Sequence, residues 1–377
     1  MTSLELVALA DILCWLGAAA ALVSGALHFR ALRRGAGPEA GRNPAAWLAL
    51  GCVLAVALVM SLWIRTRWVE VNHFPSQTMS EVVTMFTAAL VFSLVALHFA
   101  LGLYRRGPGW AILDDALIAL TLVGIVFTHL HVQGLTTSER DLPPALQSYW
   151  FAPHLSSLIY SYATLGIAGL ICLVWFCVRF WGGVFVGGRS ARSQAIVLGL
   201  LLFVPFLHVV SIPVLVLTGL VFATLKLLGR LPGREAFAGL ERELDDVSFR
   251  AFAVGMPFLT AGLWMGAFWA QEAWANYWGW DSKENSALIT WLVYVVYIHL
   301  RMLGGYRGEK AMGLLLGGAL SIFATFQLFG YLPDSQKNSM HKYTDDNVVP
   351  REGMQGGVET SASAAEPAAK DDEGASR

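Results

Sequence analysis

The apolar residues of this chain fall into runs of about 20, the length at which a helix spans the hydrocarbon of a bilayer, with short blocks of charge between them. The runs cover Leu4–Phe29, Pro44–Ile64, Val82–Tyr104, Ala111–Leu130, Pro153–Val178, Ala251–Ala270, Ser286–Leu300 and Ala311–Phe329. Each predicts a spanning helix, so the expected fold is all-α, a polytopic transmembrane bundle of eight main spans. A further stretch at about 195–228 holds Pro205 and Pro213. It is longer than one span needs and shorter than two, which fits a long tilted helix, a hairpin or a re-entrant pair. The first run lacks a basic leader and is expected to stay as a span. From about Val348 the chain has almost nothing to bury and is expected to be disordered. The organisation predicted is a transmembrane domain over 1–332, a segment 333–347 on the outer face, and a tail over 348–377.

Lys and Arg choose the orientation, because they are enriched in cytoplasmic loops. With the N-terminus outside, the inward loops carry Arg30 to Arg42, Arg105 and Arg106, Arg179 to Arg192, Lys226 to Arg250, and Arg301 to Lys310. The outward loops carry only Arg65, Arg67, Arg140 and Lys283. That bias survives only if the 195–228 stretch enters and leaves on one side, so a hairpin is predicted there.

Composition narrows the class. Only 14% of residues are charged and 56% are hydrophobic, against about 25% charged in soluble domains, which excludes a soluble enzyme. A net charge of -1 supplies no basic field for nucleic acid. Cys14, Cys52, Cys172 and Cys177 all lie in apolar runs without a Cys-x-x-Cys pair, so thiol redox chemistry and covalent haem attachment to this chain are excluded. No phosphate-binding Gly-x-x-x-x-Gly-Lys loop occurs.

The chemistry concentrates in one outward connection, Trp269-Ala-Gln-Glu-Ala-Trp274-Ala-Asn-Tyr277-Trp278-Gly-Trp280-Asp281-Ser-Lys283-Glu284. Tryptophan belts are usual at membrane interfaces, but a belt explains one or two per helix end, not four in 12 residues. The alternative is a platform on which a flat aromatic ligand stacks. Asp281 followed three residues on by Glu284 also fits a capping box that opens the next helix.

The stretch from Trp269 to Arg301 resembles the tryptophan-rich signature of the haem-handling cytochrome c assembly superfamily, and within it the CcsA (ResC) family of system II cytochrome c biogenesis. Weaker likeness lies at His73-Phe-Pro with Glu81, at Trp150-Phe-Ala-Pro-His154 and at Ser248-Phe-Arg-Ala-Phe. The family usually reads Asp-Pro-Lys-Glu-Thr-Trp where this chain has Asp281-Ser-Lys-Glu-Asn-Ser286, and the 195–228 insertion is not usual in it.

The resemblance implies a chain that moves haem across the bacterial inner membrane or the thylakoid membrane and presents it to apocytochrome c. The thiols of a Cys-x-x-Cys-His segment then add across the haem vinyls. It implies a non-covalently bound b-type haem, a subunit of a cytochrome c synthetase, and a CcsB (ResB) membrane partner. It implies axial ligands at His154 and His341, an intramembrane ligand at His299, and a platform of Trp269, Trp274, Trp278, Trp280 and Asp281. The second intramembrane ligand comes from the partner in that family; within this chain His28 and His98 are weaker candidates. His129, His131 and His208 read as packing or rim residues, and His73 as a loop residue. Rival readings are a HemX-like or system I haem-handling protein, and a solute transporter with an aromatic lid.

Overall fold

A computed structural model describes residues 1–37, 43–132, 144–188, 194–199, 208–231 and 233–327. The long helices are α1 (Ser3–Arg33), α2 (Pro44–Val71), α3 (Met79–Leu101), α4 (Pro108–Val132), α5 (Phe151–Phe185), α6 (His208–Leu227), α7 (Arg234–Trp274), α8 (Ser282–Met302) and α9 (Glu309–Gln327). No strand occurs among the described residues, so the all-α expectation holds. The eight predicted spans overlap α1 to α5 and α7 to α9, with residues 328 and 329 of the last outside the described residues. Among the described residues six helices, α1 to α5 and α7, are long and apolar enough to cross a membrane. The other two, α8 and α9, run 21 and 19 residues, and polar residues such as Lys283, Glu284, His299 and Arg301 thin the apolar run of α8. Of the 195–228 insertion, α6 is described and 200–207 lie outside the described residues. The same holds for the predicted outer segment and tail.

Local sequence sets the helix starts. Thr2 with Glu5 and Thr78 with Glu81 close capping boxes on α1 and α3, and Asn43 accepts from the Ala46 amide with Pro44 behind it at the first position of α2. Each satisfies backbone donors that no helix can satisfy internally. Among the spans, close packing has to supply what lipid does not, because apolar side chains gain little by leaving lipid for protein. Small residues let the helices approach. A Cβ on Gly17 would meet Leu122 and Cys52, one on Gly255 would meet Leu165, and one on Gly262 would meet Leu158.

The bundle has two main packed cores that share α3 and α5. One joins α1 to α4 and the first turns of α5; the other joins the rest of α5 and the end of α3 with α6 to α9. α6 lies on α5, where the Trp181 Nε1 donates to the Leu215 carbonyl at 2.8 Å. At one end of the second core, α7, α8 and α9 are tied by charge. Buried Arg301 donates to Asp245 at 2.6 Å, and Asp245 also accepts from the Gly308 amide. Arg179 bridges Glu241 and Glu309. The opposite end of that core carries the α5 start, the α7 end and the α8 start.

Candidate functional site

The aromatic connection is folded on itself by one carboxylate. Glu284 accepts from the amides of Gly279 at 2.8 Å and Asp281 at 3.2 Å, while the Asp281 side chain caps α8 and Asn285 Nδ2 donates to the Trp280 carbonyl. The capping box read from the sequence is present, so Asp281 is engaged in the backbone of the loop. Ala275 and Trp280 both hold left-handed backbone, with φ 58° and 57°. A non-glycine residue there costs of order 1–3 kcal/mol, a strain that persists only where surrounding contacts enforce it. It turns Trp280 outward, 72% exposed.

The four tryptophans predicted to form one platform divide into two groups. Trp269 is buried, donates its Nε1 to the Ala145 carbonyl at 2.7 Å, and packs edge-on to Trp274 and against Phe151. This pair is a foundation. Trp278 instead lines an apolar groove of about 340 Å³, walled by Leu263, Trp264, Ala267 and Phe268 of α7 and by Leu288 and Trp291 of α8. Its Nε1 is buried without a hydrogen-bond partner. A buried orphan donor costs about 1–3 kcal/mol, which a ligand acceptor in the groove would recover. Trp264 and Trp291 were not singled out by sequence. Their only signal was a tryptophan inside an apolar run next to the loop.

His154 sits in the first turn of α5. Its Nδ1 is 2.8 Å from the Gly262 carbonyl, its ring stacks on Trp269 at 5.5 Å, and it passes over Gly266, where a Cβ would come within 2.6 Å of the ring. A donor at Nδ1 puts the ring lone pair on Nε2, which is how metal-ligating histidines are oriented. On α7, residues 262 and 266 face α5 whereas Leu263, Trp264, Ala267 and Phe268 face the groove. His154 and the groove therefore flank the same helix end, on its two sides.

The remaining histidines separate clearly. His299 is exposed on α8 beside Leu292, Val296 and Leu303, and its Nδ1 bonds the Val295 carbonyl at 2.7 Å. It faces away from the bundle. His28, His98 and His129 are buried, each against an aspartate: Asp115 at 2.6 Å, Asp114 at 2.9 Å and Asp11 at 2.6 Å. His28 and His98 lie in the α1–α4 half and do not approach His299, and His129 is a packed residue as expected. His341 lies outside the described residues, as do the side chains of His131 and His208.

Residues 79–330 match the family of cytochrome C assembly proteins. The chain belongs to that family. Relatives within it include the cytochrome c biogenesis protein CcsA of Synechocystis sp., 31% identical over 73% of this chain and 83% of its own length. The CcsA of Guillardia theta is 28% identical over 74% of this chain and 81% of its own, and that of Microcystis aeruginosa 29% over 71% and 80%. The chain is thus an integral membrane member of the cytochrome c assembly family, and α3 to α9, with His154, the groove and His299, lie within the matched region.

Proposed function

We propose that this chain, acting in cytochrome c biogenesis, carries haem through the membrane and presents it to apocytochrome c on the side where the aromatic loop stands. His154 and His341 hold the iron from its two faces, and the Trp278–Trp280 loop covers the ring. His299 receives haem earlier on the path, and a CcsB-like membrane partner completes its ligand pair. The seat of His154 carries this reading: a carbonyl fixes its Nδ1, a glycine admits its ring, and the opposite side of the same helix end holds an apolar groove with one unpaired donor. Those features fit a flat, apolar, iron-bearing substrate with acceptor groups at its edge.

The attachment step balances without an oxidant. Each cysteine S–H adds across a vinyl double bond, forming one C–S and one C–H bond while the S–H and the π bond are lost. The chain's part is to hold the vinyl edge and the thiols within reach, for which proximity alone contributes several kcal/mol.

The purified protein is expected to carry haem with a six-coordinate, low-spin spectrum. His154→Gly is expected to abolish c-type cytochrome maturation, and added imidazole to restore part of it. His341→Gly is expected to do the same, whereas His299→Gly lowers the haem that arrives. Normal maturation in both His154→Gly and His341→Gly would remove the haem assignment.

A further inference from the structure

At the end of the bundle opposite His154, four titratable side chains meet in the membrane-spanning helices. Asp114 and Asp115 are consecutive on α4, and they face opposite neighbours: Asp115 meets His28 of α1, and Asp114 meets His98 of α3. Around His28 the protons are placed by hydrogen bonding. Asn43 Nδ2 lies 2.9 Å from its Nε2 and donates to it, so Nδ1 carries the hydrogen given to Asp115, which also accepts from Ser24. His98 is different. It is 93% buried, and its Nδ1, though 2.9 Å from an Asp114 oxygen, is not aligned for a hydrogen bond and has no other partner. Its ring lies flat on Tyr104, centroids 4.7 Å apart and planes 3° apart.

These groups back a cleft whose mouth is aromatic. Trp47 and Phe99 line it and are 59% and 54% exposed on helices that cross the membrane, so it opens to lipid. α1 and α2, which supply His28 and Trp47, lie before residue 79, where the match to the assembly family begins. The cleft is therefore built half outside the matched region and away from the groove.

The lining selects its ligand. No Lys or Arg lines the cleft and two aspartates do, so phosphates and carboxylates are repelled. No group of three His, Cys, Asp or Glu suited to a metal occurs among the described residues. The cleft has about 70 Å³ and opens to lipid, so what fits is the oxygen-bearing edge of an uncharged planar ring that arrives through lipid, with the rest of the ring against Trp47 and Phe99 at the mouth. We propose that this cleft binds the head group of a lipid-soluble quinone or hydroquinone. The unpaired His98 Nδ1 and the two carboxylates supply the donor and acceptors that the oxidised and reduced forms require.

The test uses the full-length protein in phosphatidylcholine nanodiscs and tritiated decyl-ubiquinone, with empty nanodiscs as the background. Saturable binding of one equivalent is expected. Leu50→Trp, which fills the cleft and leaves His28, His98, Asp114 and Asp115 in place, is expected to weaken binding at least tenfold without changing the haem spectrum. His98→Gln is expected to weaken it similarly. Uptake that does not saturate, or that is equal in wild type and Leu50→Trp, would mean partition into lipid and overturn the proposal. Displacement of the quinone by equimolar haemin would overturn it in favour of a haem stop. Because haem at His154 is read by its own spectrum, loss of that spectrum with quinone binding intact would count against the haem reading alone.

Discussion

Adding a single methyl group at Gly266 tests the seat of His154 without touching the histidine. The Cβ of Gly266→Ala would fall 2.6 Å from Cε1 and 2.8 Å from Nδ1 of His154. Carbon atoms settle at about 3.5–4.0 Å, so the ring must retreat by about 1 Å. The Nδ1 hydrogen bond to the Gly262 carbonyl, now 2.8 Å, would then pass beyond useful length, a loss of about 0.5–1.5 kcal/mol. Crowding adds about 1–3 kcal/mol, and the better helix propensity of alanine returns about 1 kcal/mol. Fold stability therefore falls by only about 0.5–3.5 kcal/mol, while the ring moves by twice the roughly 0.5 Å tolerance of a binding constellation. Haem bound to purified protein, read as the pyridine haemochrome, is expected to drop about tenfold, with c-type cytochromes falling in parallel. Gly313→Ala and Gly317→Ala, where an added Cβ meets nothing within 4 Å, are expected to behave as wild type. If monodisperse Gly266→Ala keeps wild-type haem and spectrum while His154→Gly loses both, then the Gly262–Gly266 seat does not position the ligand.

Two further outcomes follow from the other end of the molecule. Arg301→Ala would leave the buried Asp245 carboxylate without its cation, held only by the Gly308 amide, and is expected to destabilise the fold by about 3–5 kcal/mol, seen as a lowered thermal midpoint; the double change Arg301→Met with Asp245→Leu is expected to recover most of it. Reporter fusions after Arg189 and after Arg242 are both expected to read cytoplasm, and an external reading at Arg242 would reject the hairpin and turn the aromatic loop to the wrong face.

The helices were legible because each writes its own signal, an apolar run of spanning length, to which α8 adds an Asp cap with its partner three residues on. In that cap, the three-residue spacing of Asp281 and Glu284 that suggested it is also the contact that folds the loop. The division of the tryptophans was hidden. Trp269 and Trp278 look alike in sequence, but one lies in the last turns of a helix packed on α5 and the other follows the left-handed Ala275 that ends that helix. The His–Asp pairs left even less trace. His28 and Asp115 are 87 residues apart, and His129 and Asp11 are 118 apart, so periodicity along one helix cannot reveal them. What the sequence did show was the expense: ionisable residues inside apolar runs, which are kept only when something compensates for them.

The longest helix joins the parts of the haem reading. α7 runs 41 residues, enough to span the bilayer and extend beyond it. Near its end Gly262 and Gly266 hold His154 on one face, while Leu263, Trp264, Ala267 and Phe268 wall the groove on the other. Near its start Asp245 grips Arg301, two residues beyond His299 on α8. The two proposed ligand positions are thus referred to one helix at separate ends, with Pro257 between them inside it. Loosening the Asp245–Arg301 grip lets the α8 end carrying His299 shift, yet leaves Gly262, Gly266 and the stacked Trp269 where they are. On the proposed haem path the two substitutions are therefore expected to separate receipt of haem from its presentation. Asp245→Asn acts on the first and Gly266→Ala on the second, and a chain in which both gave the same spectral defect would not be divided in this way.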